Sequence, residues 1–568
     1  MDRHSCRLDI KAVTYSISFK LIVLTLVALM ASSVVTSLRS VSAEAQTDSY
    51  DLIITNARIV DGTGNPWFRA DIGIRDGRIA RIGRLGAANA KGRIDAQNRI
   101  IAPGFIDVHT HVESLFNQPA AENFVRMGVT TLVTGNCGTS STNVAEFLGR
   151  VKSTPTAVNV ATLVGHGSVR RKVMKLEDRA PTPDEMKQME TIVDQGMMDG
   201  AVGLSTGLIY VPGTYAKTDE IVGLAKIVAR HGGLYATHMR SEGDKVVDAI
   251  RESIQIGELA GLPVEISHFK ISNRKLWGQT PMTLALVREA RARGVLVTVD
   301  QYAYTASSTS LDSRLPTWLL AGGSEEAKKR LSDKATRERV MKEMKDALKR
   351  SGFKDYSYAM VASYRADKSF NGKSIADITK IVRGKKDVKD QIEQIVAMYE
   401  AGGAGMIYHG MNEDDVQRIM SEPFTMVASD SGVRRIDESV PHPRGYGNNA
   451  RVLGRYVREL KLLTLEDAIR KMTSLPAQTF GFRDRGMVRE GLAADLVIFD
   501  ENTIGDQATF VSPHQFPTGI SHVMVNGELV LAEGGMTTAR PGAALRGPAS
   551  IGSSFAQPGV NRFFSAGR

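Results

Sequence analysis

Four histidines, a cysteine and an aspartate stand at the ends of short apolar runs that read as strands. His109 and His111 close the run 106–109, Cys137 follows 131–134, His238 follows 234–237, His268 follows 264–267, and Asp430 follows 425–429. His109 and His111 are two residues apart, so on a strand both face the same side, which a lone core histidine does not require. Imidazole, thiol and carboxylate arriving from five separate segments make a donor set for a divalent metal, and thiolate with imidazole favours zinc over magnesium or calcium. A single strand-end histidine is more often a hydrogen-bonded structural residue, but four at matching positions argue against four independent cases. Asp430 is the candidate for proton transfer, because a carboxylate beside activated water accepts its proton and passes it to a leaving group. A further ligand role for Asp430 is compatible with this. His166 and His409 are candidates to line the same mouth, whereas His231, His514 and His522 read as structural.

Positioning such groups calls for a scaffold whose strand ends converge. Strands are expected at 106–109, 131–134, 158–164, 201–205, 234–237, 264–267, 296–300 and 425–429, with helical patterns between most of them, for example 220–230 and 246–260. Eight strand–helix units predict an α/β fold, a (β/α)8 TIM barrel over 104–480, with the carboxyl ends of its strands meeting at one mouth. An open doubly wound sheet is the alternative. More than a hundred residues separate the seventh and eighth strands, which predicts an insertion at about 320–405 carrying charged helical stretches at 324–350 and 385–399. It would emerge from the functional face, where it can act as a lid or remain a surface excursion. A further strand pattern covers 406–409. Alternating runs with Asp-Gly turns at 51–60, 70–74 and 78–82 find counterparts at 495–499 and 522–527. A small β-sandwich subdomain built from 50–103 and 485–540 is expected. The Gly/Ala/Ser/Pro-rich stretch 541–568 reads as a flexible tail.

The 568 residues are 42% hydrophobic and 24% charged, ordinary for a globular protein. The N-terminus is different: Lys20 precedes the apolar run 21–31, and Val41, Ser42 and Ala43 offer a small-residue cleavage site. This layout predicts a signal peptide over 1–45 and a secreted or periplasmic protein, with an uncleaved anchor as the alternative. Of two cysteines, Cys6 leaves with the signal, so Cys137 has no partner for an internal disulfide; a small buried hydrophobe is its bland explanation. The net charge of +10 falls partly in the leader and in 326–388, and no basic stripe is interleaved with aromatics. Nucleic acid is therefore not expected as a partner, nor a stable membrane partner after signal cleavage. The expected partner is a small-molecule substrate, and the oligomeric state is open.

The run from Ile100 to His111, with Pro103, Gly104, Asp107 and His109 within it, resembles the opening signature of the amidohydrolase superfamily; Asp495 to Phe499 and Val525, Asn526, Gly527 resemble its closing strands. Gly135-Asn136-Cys137-Gly138, the run from Gly207 through Tyr210 to Gly213, Ser267-His268-Phe269-Lys270 and His442-Pro443-Arg444 resemble its D-aminoacylase (N-acyl-D-amino-acid deacylase) branch, and the likeness extends from about Tyr50 to Pro541. The resemblance implies zinc-dependent hydrolysis of the amide bond of N-acyl-D-amino acids. It implies one tightly bound zinc on Cys137, His238 and His268, with His109 and His111 forming a weaker second site that shares Cys137. It further implies that Arg444 grips the substrate's α-carboxylate with help from Lys270, Tyr302 and Ser308, and that Tyr210 stands near the scissile carbonyl. A planar guanidinium suits a carboxylate on physical grounds as well. One departure stands out: Val112-Glu113 follows His111 where relatives often carry an acidic pair. Many members of the superfamily place a carboxylated lysine between the metals; this chain has no lysine at its fourth strand end, and the D-aminoacylase pattern uses cysteine instead. A cyclic-amide hydrolase of the same superfamily is an alternative, with no need of a fork such as Arg444. A non-catalytic, metal-holding envelope protein is another, though it has lost neither ligand nor aspartate.

Overall fold

A computed structural model of the chain describes residues 49–551; the expected leader lies outside them. Five strands open the fold: β1 (Tyr50–Ile59), β2 (Phe68–Arg75), β3 (Arg78–Gly83), β4 (Ala90–Asp95) and β5 (Ile100–Pro103). The barrel strands follow as β6 (Phe105–Asp107), β7 (Val129–Thr134), β8 (Asn159–Thr162), β9 (Val164–Gly165), β10 (Gly203–Gly207), β11 (Leu234–His238), β12 (Val264–Ile266) and β13 (Val297–Gln301). Then come β14 (Ser307–Ser310), β15 (Ala359–Ser363), β16 (Gly405–Tyr408) and the last barrel strand, β17 (Thr425–Val427). The chain closes with β18 (Leu496–Phe499), β19 (Ile520–Val525), β20 (Glu528–Ala532) and β21 (Gly535–Met536).

The barrel ring is parallel throughout. One arc runs β6-β7-β8 and the other β9-β10-β11-β12-β13-β17. The expected third strand, 158–164, is broken at Leu163 into β8 and β9, which belong to the two arcs and so link them. The ring closes where Asp430 N donates to His109 O at 2.9 Å and Ser431 bridges Thr110 in parallel. The outer helices are amphipathic: Val246–Ala260 buries Val246, Ala249, Ile250, Ser253, Ile254 and Gly257 at three- and four-residue spacing. The core is aliphatic, with Leu132, Val160, Leu204, Ile266 and Val299 fully buried.

The insertion is wider than 320–405. It starts at β14 and ends with β16, which lies at the centre of an antiparallel sheet in the order β14-β16-β15. Four helices pack on it, and its core, with Leu319, Val340, Met344, Val361 and Ile395, is separate from that of the barrel. Its first strand reads Ser-Ser-Thr-Ser, so no apolar run marks the boundary.

The N- and C-terminal strands join into one sheet in the order β21-β20-β19-β18-β5-β1-β2-β3, with β4 parallel to β1. The expected sandwich is thus a single sheet curled on itself. Arg78 of β3 bridges Ala493 just before β18, and the curl encloses Ile54, Ile74, Ile79, Ile101, Leu496 and Met524.

The expected tail also differs at its start. Residues 542–547 dock on the barrel: Gly542 N donates to Thr156 O at 2.8 Å, Val160 N to Ala543 O at 2.9 Å, and Leu545 N to Val160 O at 2.8 Å. A Cβ on Gly542 would stand 2.1 Å from Val158 O, so the glycine that reads as flexibility here permits close approach.

Candidate active site

Every expected ligand lies at a carboxyl end of a barrel strand, and two of them, with the expected proton-transfer aspartate, have unusual backbones. Cys137, His268 and Asp430 have φ of 53°, 36° and 51°, the left-handed region that non-glycine residues avoid. Such strain persists only where surroundings enforce it. Around Cys137 the enforcement is visible. Ser205 Oγ accepts from Gly138 N at 3.0 Å and donates to Gly135 O, while Asn136 Nδ2 donates to Val133 O at 3.0 Å. Gly207 abuts the turn so closely that a Cβ there would meet Cys137 O at 2.2 Å. Glu113, in the departure noted after His111, accepts from Thr134 Oγ1 at 2.9 Å and Gly135 N at 3.2 Å, bracing the same turn.

Cys137 is the hub of the site. Its Sγ lies 3.4 Å from His109 Nε2, 3.8 Å from His238 Nδ1 and 3.8 Å from His268 Nε2. A tetrahedral zinc with ordinary Zn–S and Zn–N bonds has sulfur–nitrogen edges of about 3.6 Å, close to these distances. Among the described residues the donors around Cys137 that lie mutually close are those of His109, Cys137 and His268, whereas the expected set of Cys137, His238 and His268 is not drawn together as one group. His111 Nε2 and His109 Nε2 lie 3.3 and 3.7 Å from Asp430 Oδ1, a second cluster joined to the first through His109.

Behind the ligands stand carboxylates that sequence reasoning had not assigned. Asp300 accepts from His109 Nδ1 at 3.1 Å and from the His268 backbone N at 2.8 Å. Glu242 lies 2.8 Å from His268 Nδ1 and pairs with Lys270. Anchoring the far ring nitrogen fixes the tautomer that aims the near one at a metal. Glu242 follows His238 by four residues and Asp300 sits in the expected seventh strand, which was the available signal. Asp107 accepts from Ser429 N at 3.0 Å, tying the first strand end to the last. Burial lifts its carboxyl to about 7.

The electrostatics of the protein groups alone favour a thiolate among charged imidazoles. Against burial, the Cys137 charge and nearby carboxylates raise His109 and lift His111 to about 9, so a metal must displace their protons. Burial works against the Cys137 thiolate, but His109 and the other imidazoles outweigh it and hold the thiol well below its usual range. Burial lowers His238, favouring the neutral ring that ligates. Asp430 is held well below the carboxylate range against burial, chiefly by Arg444 and His109. Burial and the Cys137 charge push Tyr210 up, keeping it a phenol and a donor.

A cavity of about 810 Å³ opens over these groups, lined among others by His111, Cys137, Tyr210, Lys270, Asp430 and Arg444. Tyr210 stacks edge-on to His238 and its hydroxyl bonds Thr309 Oγ1 at 3.0 Å. Arg444 lies 2.9 Å from Asp430 Oδ2 and 3.5 Å from Ser308 O, over the Tyr302 ring. Three expected substrate contacts are engaged otherwise. The buried Tyr302 hydroxyl turns to Met411 Sδ at 3.4 Å, Ser308 Oγ donates to Met406 O at 2.8 Å, and Lys270 donates to His268 O at 2.8 Å. His166, expected at the mouth, is instead buried against Glu220 at 2.8 Å, and His409 packs on Phe510.

Comparison with known proteins agrees with this geometry. The sequence pattern of the amidohydrolase family matches residues 93–275 and 359–531. The chain is 36% identical over 527 residues to an N-acyl-D-glutamate deacylase of Alcaligenes xylosoxydans xylosoxydans, covering 89% of this chain and 98% of that one. It is 37% identical to a D-aminoacylase of the same organism, covering 88% and 99%. The crystal structure of the N-acyl-D-glutamate deacylase of Bordetella bronchiseptica, complexed with zinc and a phosphonate mimic of the tetrahedral intermediate, superposes with a TM-score of 0.75 at 36% identity, covering 88% of this chain and all of that one. A D-hydantoinase at 17% identity and a TM-score of 0.51 shares the fold. With its cysteine-centred donor set at the barrel mouth, the chain belongs to the amidohydrolase family, in its D-aminoacylase branch.

Proposed function

We propose that the chain hydrolyses the amide bond of N-acyl-D-amino acids, releasing a carboxylate and a free D-amino acid. The observation that carries this is one cavity holding the Cys137-centred ligand cluster, the ionised Asp430 and the buried Arg444 together. The D configuration and the linear amide rest on the relatives' activities; the buried guanidinium favours a free α-carboxylate over a cyclic amide.

Cys137, His238 and His268 would hold one zinc and His109 with His111 a second position; the metal supplies a Lewis acid that acidifies water and polarises an amide carbonyl. Asp430, ionised and 3.3 Å from His111 Nε2, accepts the proton of the attacking water and then delivers it to the departing amine nitrogen. Tyr210 donates its hydroxyl to the carbonyl oxygen as charge develops there. Arg444 exchanges its contact with Asp430 for the substrate α-carboxylate. The guanidinium thus places the scissile bond beside the aspartate that it neutralises in the free enzyme.

Asp430→Asn is expected to keep its zinc but lose roughly 10³-fold in kcat on N-acetyl-D-methionine, the range of a lost general acid–base. Metal content measured beside turnover checks this, and near-normal turnover would remove Asp430 from the role. Arg444→Ala should raise KM strongly for free acids and little for the corresponding methyl esters.

Arg314 supports an acidic substrate side chain, as in the N-acyl-D-glutamate deacylase relative. It lines the cavity over the Tyr408 ring and has no acidic partner among the described residues. Export of the protein is supported by the apolar run 21–31 behind Lys20 and by Val41, Ser42 and Ala43. Recovery from the periplasm or medium of a chain beginning near Glu44 would support it; a full-length cytoplasmic chain would not.

A further inference from the structure

A second cavity of about 930 Å³ lies beside the first, between the insertion and the loops that follow β9 and β10. The two share Ile209, Tyr210 and Ser313, so the wall between them is the Tyr210 loop and its hydrogen bond to Thr309. Nothing in the reaction described above uses this space. Its walls are mixed: Leu176, Val211, Leu311 and Leu315 stand beside Asp312 and Thr317, and Arg171, Lys328 and Arg365 also border it.

The ring order gives the direction in which substrate meets this cavity. Arg444 and Asp430 follow β17, the eighth barrel strand, whereas Tyr210 follows β10, the fourth, so they face each other across the mouth. In a linear N-acyl amino acid, the carboxylate-bearing half and the acyl half leave the scissile bond in opposite directions. With the carboxylate at Arg444 and the carbonyl at Tyr210, the acyl group is aimed past Ile209 and into the second cavity.

We propose that this cavity is an acyl-chain subsite, and that the enzyme's preferred substrates carry a medium or long unbranched apolar acyl group rather than acetyl. The inference rests on the deacylase reading above. Burying each methylene along Ile209, Leu311 and Leu315 strengthens binding roughly fourfold. Contacts of the acyl chain beyond Tyr210 are the same in the ground and transition states, so the gain falls on KM and on kcat/KM rather than on kcat.

The test compares N-acetyl-, N-octanoyl- and N-dodecanoyl-D-glutamate, and the same series on D-methionine, with zinc-loaded enzyme and two variants that obstruct the second cavity. Ala401→Trp fills it from the exposed end of the helix Val388–Glu400, and Leu176→Asp makes its wall polar. The expected result is a kcat/KM for octanoyl at least tenfold above acetyl. Each variant should erase that advantage while leaving acetyl hydrolysis within about twofold. Acetyl substrates turning over as fast as or faster than octanoyl, or variants that lose both substrates equally, would overturn the subsite and leave the deacylase reading intact. Failure to hydrolyse any member, with zinc bound, would instead overturn the deacylase reading itself.

Discussion

Cys137 carries more of the site than any other side chain. It faces three imidazoles, takes a left-handed backbone and is held as a thiolate by the rings around it. Cys137→Ser should therefore lose most bound zinc, since a hydroxyl offers neither the charge nor the softness of a thiolate. Asp300→Asn tests the outer support: it leaves every ligand in place but weakens the hold on His109 Nδ1, and should reduce zinc affinity roughly 10–100-fold in a competition titration. The candidate ligands could be picked out in the sequence because histidine and cysteine are scarce and each closes an apolar run. Asp300 and Glu242 were not, because carboxylates are common and only proximity to an imidazole gives one a role. Tyr302 shows the reverse case. Its position could be read, but the direction of its hydroxyl depends on Met411, more than a hundred residues away.

At the scale of elements, what holds the site is the fit between neighbouring strand ends. Gly207→Ala places a methyl 2.2 Å from the Cys137 carbonyl oxygen and 2.8 Å from the Tyr210 ring, which is itself packed on His238 and bonded to Thr309. An overpacking cost of about 1–3 kcal/mol is expected in urea unfolding, together with a drop in kcat as the Cys137 turn is displaced. Asp107→Ala removes the acceptor for Ser429 N and should cost about 1–3 kcal/mol by leaving that buried donor unpaired. The barrel strands could be located from their apolar runs, although hydrogen bonding shifts their ends, so that β6 stops at Asp107 and not at His109. The first edge of the insertion was invisible for a physical reason: β14 is hydroxylic, and its pairing to β16 comes from backbone bonds that no side-chain pattern records.

At the scale of the molecule, the termini stabilise a barrel they do not belong to. A chain ending at Arg540 forfeits the docked bonds of Gly542, Ala543 and Leu545, and should melt a few degrees lower than the full chain. Chelation should also lower the melting temperature, and added zinc should restore it, because binding to the folded state alone stabilises it. The curled sheet sets a condition on time as well as on structure. β3 and β5 are complete before the barrel is begun, yet their partners near Ala493 and in β18 are made almost last. At about 5–20 residues per second, on the order of a minute of synthesis separates the two halves of each pairing. Through that interval the growing chain carries bare strand edges at its leading end, exposed to any extended segment that arrives first.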